Sequence, residues 1–167
     1  MKVKNVAGFT VIFSALLLTG CSKEKPGKLN GAWQLMKMQL VSANGEQIGF
    51  PVGESLFLFD KGYYSITYAF GRRAVPYQER WHPTDNEKLA RFRSVIVNTG
   101  RYRLEGTKLL LEPLFALAPE FIGGKGVFSY AFTGDTLDLT WEQSIAFDGL
   151  EYPTGGTVTR LRLVPIP

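Results

Sequence analysis

The sequence predicts an all-β domain of about eight antiparallel strands with one short helix, arranged as an up-and-down barrel or a sandwich. Aromatic residues make up 13% of the chain and glycines number 18, and these residue types suit pleated surfaces and tight turns. Runs of β-prone residues recur at short intervals, with turn residues between them. Helical periodicity is scarce, which favours sheet over helix.

The N-terminus has the order of charge and hydropathy that an export signal requires. Lys2 and Lys4 precede an apolar run at residues 11–18, and two small residues then lead to Cys21. This order is typical of a signal peptide, and the run is shorter than the about 20 apolar residues that span a membrane. We expect a signal peptide over residues 1–20, a flexible tether over 21–28 and one folded domain over 29–167.

The junction at the end of the signal, Leu18-Thr19-Gly20-Cys21, resembles the lipobox of bacterial lipoproteins. In that family the cysteine is diacylated and becomes the first residue of the mature protein. The resemblance implies a lipid anchor on Cys21, and Ser22, in place of the aspartate that marks inner-membrane retention, implies sorting to the outer membrane, facing the periplasm. The alternative is an ordinary secreted protein with a cysteine after its signal.

Composition excludes several classes of protein. The chain has one cysteine, so a disulfide, a CxxC redox pair or a cysteine-based metal site is excluded. The net charge of +4 falls to about +2 once the signal is removed, and the remaining charges are interspersed. Because there is no basic stripe, nucleic-acid binding is not expected.

The first half of the domain contains one strand, one hairpin and the single predicted helix. Residues 33–41 form the first strand, and residues 56–59 and 63–68 form a hairpin around Asp60-Lys61-Gly62. Residues 84–87 offer caps for a helix that runs to about Ser94. In that helix, we expect an apolar stripe to be buried, formed by Leu89, Phe92 and Val95.

The second half of the domain is a meander of strands joined by turn residues. The predicted strands are residues 98–104, 108–114, 126–132, 136–141 and 157–164.

Four segments, taken in order, resemble the bacterial lipocalin-like domain family across roughly residues 29–164. They are Gly31-Ala32-Trp33, residues 56–65, residues 99–104 and residues 134–139. The Thr-Asp-Tyr motif of the core lipocalins is not visible and the helix falls in mid-chain, which makes the chain a loose relative of that core group. The resemblance implies an antiparallel up-and-down β-barrel of about eight strands with an apolar interior.

Lipocalins also carry an arginine near the chain end that packs across the tryptophan of the Gly-x-Trp motif. By this resemblance, Arg160 or Arg162 would pack on Trp33 and help close one end of the barrel. A cation over an indole contributes about 0.5 to 2 kcal/mol. The role of Trp33 is therefore expected to be structural.

The residues needed for covalent or metal chemistry are scarce. His82 is the only histidine, there is no Gly-x-Ser-x-Gly nucleophile motif, and zinc prefers three or four His or Cys ligands. Asp135 and Asp138 are interpreted as turn and surface residues. We therefore expect no enzyme activity, no metal and no cofactor.

The remaining candidate site is the interior of the barrel, which small barrels either fill with side chains or leave open for one small ligand. If Trp33 faces inward, strand alternation puts Lys37 on the same face, where a lone charge is costly. Either the first strand has a bulge, or Lys37 sits at the open rim and meets an acidic head group. The predicted ligand-binding residues are Lys37, Phe57, Phe59, Tyr64, Ile66, Tyr68, Tyr102, Phe128, Tyr130 and Trp141.

These observations lead to an expectation of function. The leading hypothesis is a lipid-anchored, non-catalytic binding module of the cell envelope, whose ligand is small and hydrophobic or amphipathic, such as a fatty acid. The alternative is a structural or protein-interaction lipoprotein whose barrel core is solid. No particular protein partner is predicted.

Overall fold

The computed structural model of the chain describes residues 26–71 and 76–167. The predicted signal peptide and Cys21 lie outside these residues, and of the predicted tether only residues 26–28 lie within them. Those three residues form a short 3-10 turn, Pro26–Lys28. In the described segments, no helix combines the length and the apolar character that crossing a bilayer would require.

The described residues form nine strands and one α-helix. The helix, α1, spans Asp85–Arg93. The strands are β1 (Gly31–Val41), β2 (Gln47–Phe50), β3 (Val52–Asp60), β4 (Tyr63–Phe70), β5 (Val95–Glu105), β6 (Lys108–Ala116), β7 (Lys125–Thr133), β8 (Thr136–Ile145) and β9 (Val158–Pro165).

Eight of these strands close into an antiparallel barrel. From β3 to β9 each strand pairs with the next, and β1 pairs with both β3 and β9. The β1–β9 register runs from Trp33 opposite Pro165 to Val41 opposite Val158, so the closure extends along the strand. The predicted up-and-down barrel with one helix is confirmed, and the sandwich alternative is excluded.

The strand that sequence reasoning missed is β2, which pairs with the C-terminal half of β1. The turn between them is closed by the Gly45 N–H, which donates to the Ser42 carbonyl over 2.9 Å. Asn-Gly between two β-prone runs is a hairpin signal. Asn44-Gly45 was therefore the available evidence for β2.

A bulge in β1 decides which side chains of that strand enter the barrel. The register with β9 shifts between Leu35 and Lys37, and as a result Leu35 and Met38 are both buried whereas Lys37 is exposed. The extra residue reverses the alternation and avoids the cost of burying a lone ammonium. The bulge alternative is confirmed; the prediction that Lys37 belongs to the ligand site is wrong, since Lys37 lies outside the wall opposite Arg162.

The helix begins where predicted but does not bury the predicted stripe. The Thr84 hydroxyl accepts from the Glu87 N–H over 3.3 Å, and the Glu87 carboxylate accepts from the Thr84 N–H over 2.8 Å, which is a capping box. Leu89 and Phe92 are 45% and 54% exposed, and Val95 already belongs to β5. Caps therefore stabilise α1 on a surface connection, and the buried-stripe prediction is wrong.

The two ends of the barrel are built differently. At one end, called the closed end, three hairpins turn through only two residues each: 61–62, 106–107 and 134–135. Lys61 and Gly62 have φ values of 45° and 83°, as the right-handed twist of a two-residue hairpin demands. At the other end, called the open end, the chain makes longer connections over residues 71–94, 117–124 and 146–157.

The closed half of the barrel is packed solid. Its inward side chains come from nearly every strand and are almost completely buried: Leu29, Trp33, Phe57, Phe59, Leu109, Leu137 and Leu163. The Trp33 indole N–H donates to the Leu29 carbonyl over 3.0 Å, so the segment before β1 is held against the barrel. The described side chains therefore fill the interior of this half.

The cation near Trp33 differs from the predicted one. The Lys28 ammonium lies 4.5 Å from the centre of the Phe132 ring, which in turn lies 6.0 Å from the Trp33 ring. Arg160 and Arg162 alternate with buried Leu161 and Leu163 and therefore project outward. The prediction that either arginine packs on Trp33 is wrong.

Outside the barrel, Arg162 has a different partner. It donates to the two carboxylate oxygens of Asp138 over 2.7 and 3.1 Å. This hydrogen-bonded pair raises the pKa of Arg162. The strand register places Asp138 directly opposite Arg162 on β8, so the pair links the outer faces of β8 and β9.

Candidate ligand-binding site

The open half of the barrel contains a cavity of about 140 Å³. It is lined mainly by apolar side chains and has a partly open side. The lining residues are Ile66, Tyr68, Ile96, Val97, Asn98, Leu111, Pro113, Ala116, Leu117, Ala118, Phe121, Lys125, Gly126, Phe128, Trp141, Ser144, Thr159 and Leu161.

The cavity exists because the inward side chains become smaller towards the open end. Along β7, from the closed end to the open end, the inward side chains are Tyr130, Phe128 and Gly126. On β8 and β9 the inward residues nearest the open end are Ser144 and Thr159. The strand register brings Gly126 opposite Ser144, so two small residues meet. On four neighbouring strands, β6 to β9, the inward residue nearest the open end has a small side chain. These residues are Ala116, Gly126, Ser144 and Thr159.

Aromatic rings form one wall of the cavity and continue onto the connecting loops. The Trp141 ring is stacked on Phe128 at 6.5 Å and on Tyr152 at 5.5 Å, and Tyr152 lies 5.8 Å from Phe121. The Trp141 indole N–H donates to the Ser144 hydroxyl oxygen over 2.9 Å. These contacts fix the orientation of the Trp141 ring, so the wall is pre-formed.

The loops 117–124 and 146–157 are held together beside the opening. The Phe147 N–H donates to the Glu120 carbonyl over 3.1 Å, and the Gly123 N–H donates to the Pro113 carbonyl over 3.0 Å. A Cβ at Gly124 would lie 2.2 Å from the Ile145 carbonyl oxygen. Glycine is therefore required at position 124 for the close backbone approach that places Lys125 at the cavity border.

The polar groups inside the cavity are few and mostly neutral. The Tyr64 hydroxyl donates to the Asn98 amide oxygen over 2.6 Å. Burial raises the pKa of the Tyr68 hydroxyl to about 12 and also raises that of Tyr64, so both phenols stay protonated at neutral pH. Among the described lining residues, Lys125 is the only one that carries a charge at neutral pH.

The structure divides the predicted ligand-binding residues into three groups. Those that line the cavity are Ile66, Tyr68, Phe128 and Trp141. Those that face inward in the packed core or at its closed end are Phe57, Phe59, Tyr64, Tyr102 and Tyr130. Lys37 lies outside. Two of the core tyrosines bond to their surroundings: the Tyr102 hydroxyl donates to the Asn30 amide oxygen and the Tyr130 hydroxyl donates to the Gly106 carbonyl.

Sequence reasoning missed the cavity residues that are small, polar or located on the loops. Asn98, Phe121, Lys125, Ser144 and Thr159 line the cavity but are not bulky residues on a predicted strand. The available signal was the decrease in residue size along neighbouring strands. Using it requires the strand register, which brings those positions together.

The described residues offer little for covalent or metal chemistry. They contain no group of three or more His, Cys, Asp or Glu side chains placed to hold a metal ion. The His82 ring lies 3.5 Å from the Glu79 carboxylate, and both side chains are largely exposed. The arrangement that the described chain does offer is a mainly apolar cavity with a few neutral polar groups.

Comparisons with known proteins give a matching family model and related solved structures. The family model described as a lipocalin-like domain matches residues 30–159. A solved structure of a lipocalin-like protein from Bacteroides uniformis is similar over 84% of this chain and 100% of its own, with 18% sequence identity and a TM-score of 0.44. None of the curated proteins matches the chain.

Proposed function

Because this chain belongs to the lipocalin-like domain family, we propose that its barrel is a non-catalytic binding module for a small hydrophobic or amphipathic molecule. We propose further that lipid on Cys21 anchors it in the cell envelope, at the outer membrane and facing the periplasm. The anchor is supported by the signal-like order of residues 1–20 and by the lipobox-like Leu18-Thr19-Gly20-Cys21. The binding role is supported by the cavity.

The observation that carries the binding role is the contrast between the two halves of the barrel. The closed half is solid, whereas the open half leaves about 140 Å³ beside Phe128 and Trp141. An apolar cavity of about 150 Å³ binds benzene, and drug-sized ligands occupy pockets of about 300 to 1,000 Å³. The size therefore favours a single ring or a short chain, and a long-chain fatty acid would leave part of its chain outside.

The cavity chemistry supports binding without catalysis. General acid–base catalysis works best when the pKa of the catalytic group lies near the working pH. The Tyr68 hydroxyl, with its pKa raised to about 12 by burial, is poorly matched to that task at neutral pH. Apart from Lys125, the other described lining residues are apolar or hold neutral polar groups.

A second function, protein interaction through the open end, is favoured by exposed apolar side chains there. Phe147 and Leu150 are 67% and 69% exposed on the loop that follows β8. Exposed apolar groups of this kind occur at protein contact sites. In this alternative the cavity is incidental and the loops bind a partner.

Native mass spectrometry tests the binding role, with the mature protein released from membranes of its own host. We expect a reproducible co-purifying mass of a small molecule, which Gly126→Leu should abolish. A Cβ at Gly126 would lie 3.5 Å from the Leu111 Cβ, an ordinary contact, so the longer side chain has room to enter the cavity. Ala116→Leu is a second variant that fills the same space.

The matched control is Ala131→Leu, which adds the same side chain to the exposed, outward face of β7. It should leave the co-purifying molecule in place. A parent protein that carries no small molecule, and takes up none when apolar compounds are added, would favour the protein-interaction function.

A further inference from the structure

The Tyr68 hydroxyl is an unused hydrogen-bond donor inside the barrel. Its ring lies 5.9 Å from the ring of Phe57, which is completely buried, and 5.2 Å from that of Phe70. Within residues 26–71 and 76–167 the hydroxyl has no hydrogen-bond partner, and no fully buried side-chain oxygen or nitrogen lacks one. The Tyr68 oxygen is therefore accessible, and the space that this residue lines is the cavity. Burial raises the pKa of Tyr68 to about 12, so the hydroxyl keeps its proton and can donate.

A second donor lies on the neighbouring strand. The Asn98 amide oxygen accepts from the Tyr64 hydroxyl over 2.6 Å, which leaves the Asn98 NH₂ group to donate. The register places Asn98 opposite the buried Ile66, two residues along β4 from Tyr68. Such diagonal neighbours lie about 7 to 8 Å apart. The two donors, on β4 and β5, therefore border the same side of the cavity.

The aromatic wall lies across the barrel from these donors. In the closed order of the eight strands, β8 is four strands away from β4 in either direction. Trp141 on β8, with Phe128 stacked on it, therefore lies on the opposite side of the interior from Tyr68. A barrel of about eight strands is just wide enough for one small ligand. A molecule in this space has aromatic rings on one side and hydrogen-bond donors on the other.

The charged side chains of the described residues do not enter the cavity. Lys125 is exposed and alternates with the buried Gly124 and Gly126, so its side chain projects away from the interior. The described lining residues include no Asp or Glu. A carboxylate inside would lose water without gaining an opposite charge, which is costly. The cavity is therefore suited to a ligand without charge.

We propose that the cavity selects a neutral molecule with one ring or a short apolar body and a carbonyl oxygen, such as a ketone, an aldehyde or an ester. The apolar body lies against Phe128 and Trp141. The carbonyl oxygen accepts from the Tyr68 hydroxyl, with the Asn98 NH₂ group as the second donor. A carbonyl oxygen has two lone pairs and donates nothing, which matches two donors. This proposal rests on the proposed binding function.

The test compares acetophenone with α-methylstyrene, in which a CH₂ group replaces the carbonyl oxygen. Affinities are measured by isothermal titration calorimetry on the mature protein in phosphatidylcholine vesicles, and are referred to the free probe concentration in water. Tyr68→Phe should weaken acetophenone binding roughly three- to tenfold, the effect of one neutral hydrogen bond. It should leave α-methylstyrene binding unchanged, which also shows that the variant is folded.

The matched control is Tyr102→Phe, which removes a tyrosine hydroxyl that bonds to Asn30 and lies outside the cavity lining. It should leave the binding of both probes unchanged. Infrared spectroscopy gives a direct second readout, because a hydrogen bond weakens the C=O bond. The carbonyl band of bound acetophenone should lie at lower frequency in the parent protein than in Tyr68→Phe.

The outcomes separate this proposal from the binding function on which it rests. If Tyr68→Phe weakens neither probe, or weakens both equally, the carbonyl proposal is overturned and the cavity stays a binding site. Benzoate, an anion of similar size, should bind at least about tenfold more weakly than acetophenone, and equal or tighter binding would overturn the preference for a neutral molecule. If none of these probes binds and benzene does not bind either, the binding function itself fails.

Discussion

Replacing Phe59 with alanine should destabilise the protein much more than replacing Phe128 with alanine. Both rings face the barrel interior, but Phe59 lies in the solid closed half and is 1% exposed, whereas Phe128 lines the cavity. The same number of atoms is removed in each case. The difference in the free energy of unfolding therefore reports how the interior is packed at the two positions.

The magnitude for Phe59 combines three contributions. Burial of its side chain contributes roughly 2 to 3 kcal/mol, and its edge-on contact with Tyr102, at 5.6 Å, adds about 0.5 to 1.5 kcal/mol. The sealed void left behind costs about 24 cal/mol per Å³. We expect Phe59→Ala to lower the free energy of unfolding by about 4 kcal/mol, within the usual range for a buried phenylalanine.

Phe128→Ala enlarges an existing cavity and so creates little new sealed void. Its ring is partly buried and stacked on Trp141 at 6.5 Å, and the expected cost is about 2 kcal/mol. Urea unfolding followed by circular dichroism measures both values, and each kcal/mol corresponds to roughly 2 to 4 °C in Tm at this chain length. Costs that agree within about 0.5 kcal/mol would refute the division into a solid half and a hollow half.

Two further predictions follow from other parts of the chain. The Lys108 ammonium donates to the Glu142 carboxylate and lowers the pKa of Glu142. The pair therefore adds to the free energy of unfolding above the pKa that Glu142 has in the unfolded chain. This contribution is lost as the pH falls through the lower pKa of Glu142 in the folded protein. Lys108→Gln should flatten the decline of Tm on acidification below about pH 4.5, and an unchanged acid profile would contradict this. If Cys21 carries lipid, the closed end should face the membrane, because Pro26 lies at that end and five residues reach at most about 18 Å. Energy transfer to a labelled bilayer from a dye on Asp135→Cys at the closed end should exceed that from Asp148→Cys at the open end; equal transfer would disprove the orientation.

Local sequence patterns were sufficient to predict most of the fold. The β-prone run Leu56-Phe57-Leu58-Phe59 predicted a strand, and Asp60-Lys61-Gly62 predicted its turn. Thr84 with Glu87 predicted the start of the helix. Each of these signals depends on residues within a few positions of one another, since strand alternation, turn geometry and helix capping are local properties.

The errors arose where one residue, or a distant contact, changed the outcome. A single extra residue in β1 turned Lys37 away from the interior, and the sequence was compatible with strands either with or without that bulge. Leu89 and Phe92 had helical spacing, yet spacing alone does not supply a surface on which a helix can bury them. The expected placement of Arg160 or Arg162 came from a resemblance, and strand alternation overruled it.

The sequence by itself determined an all-β domain of about eight strands, the location of most of its turns and of its helix, and the absence of cysteine from residues 29–167. Only the tertiary structure decided that the barrel is solid at one end and hollow at the other. The physical reason is that a cavity arises where small side chains from several strands face each other. Ala116, Gly126, Ser144 and Thr159 lie far apart in the chain, and the strand register alone brings them around the same space.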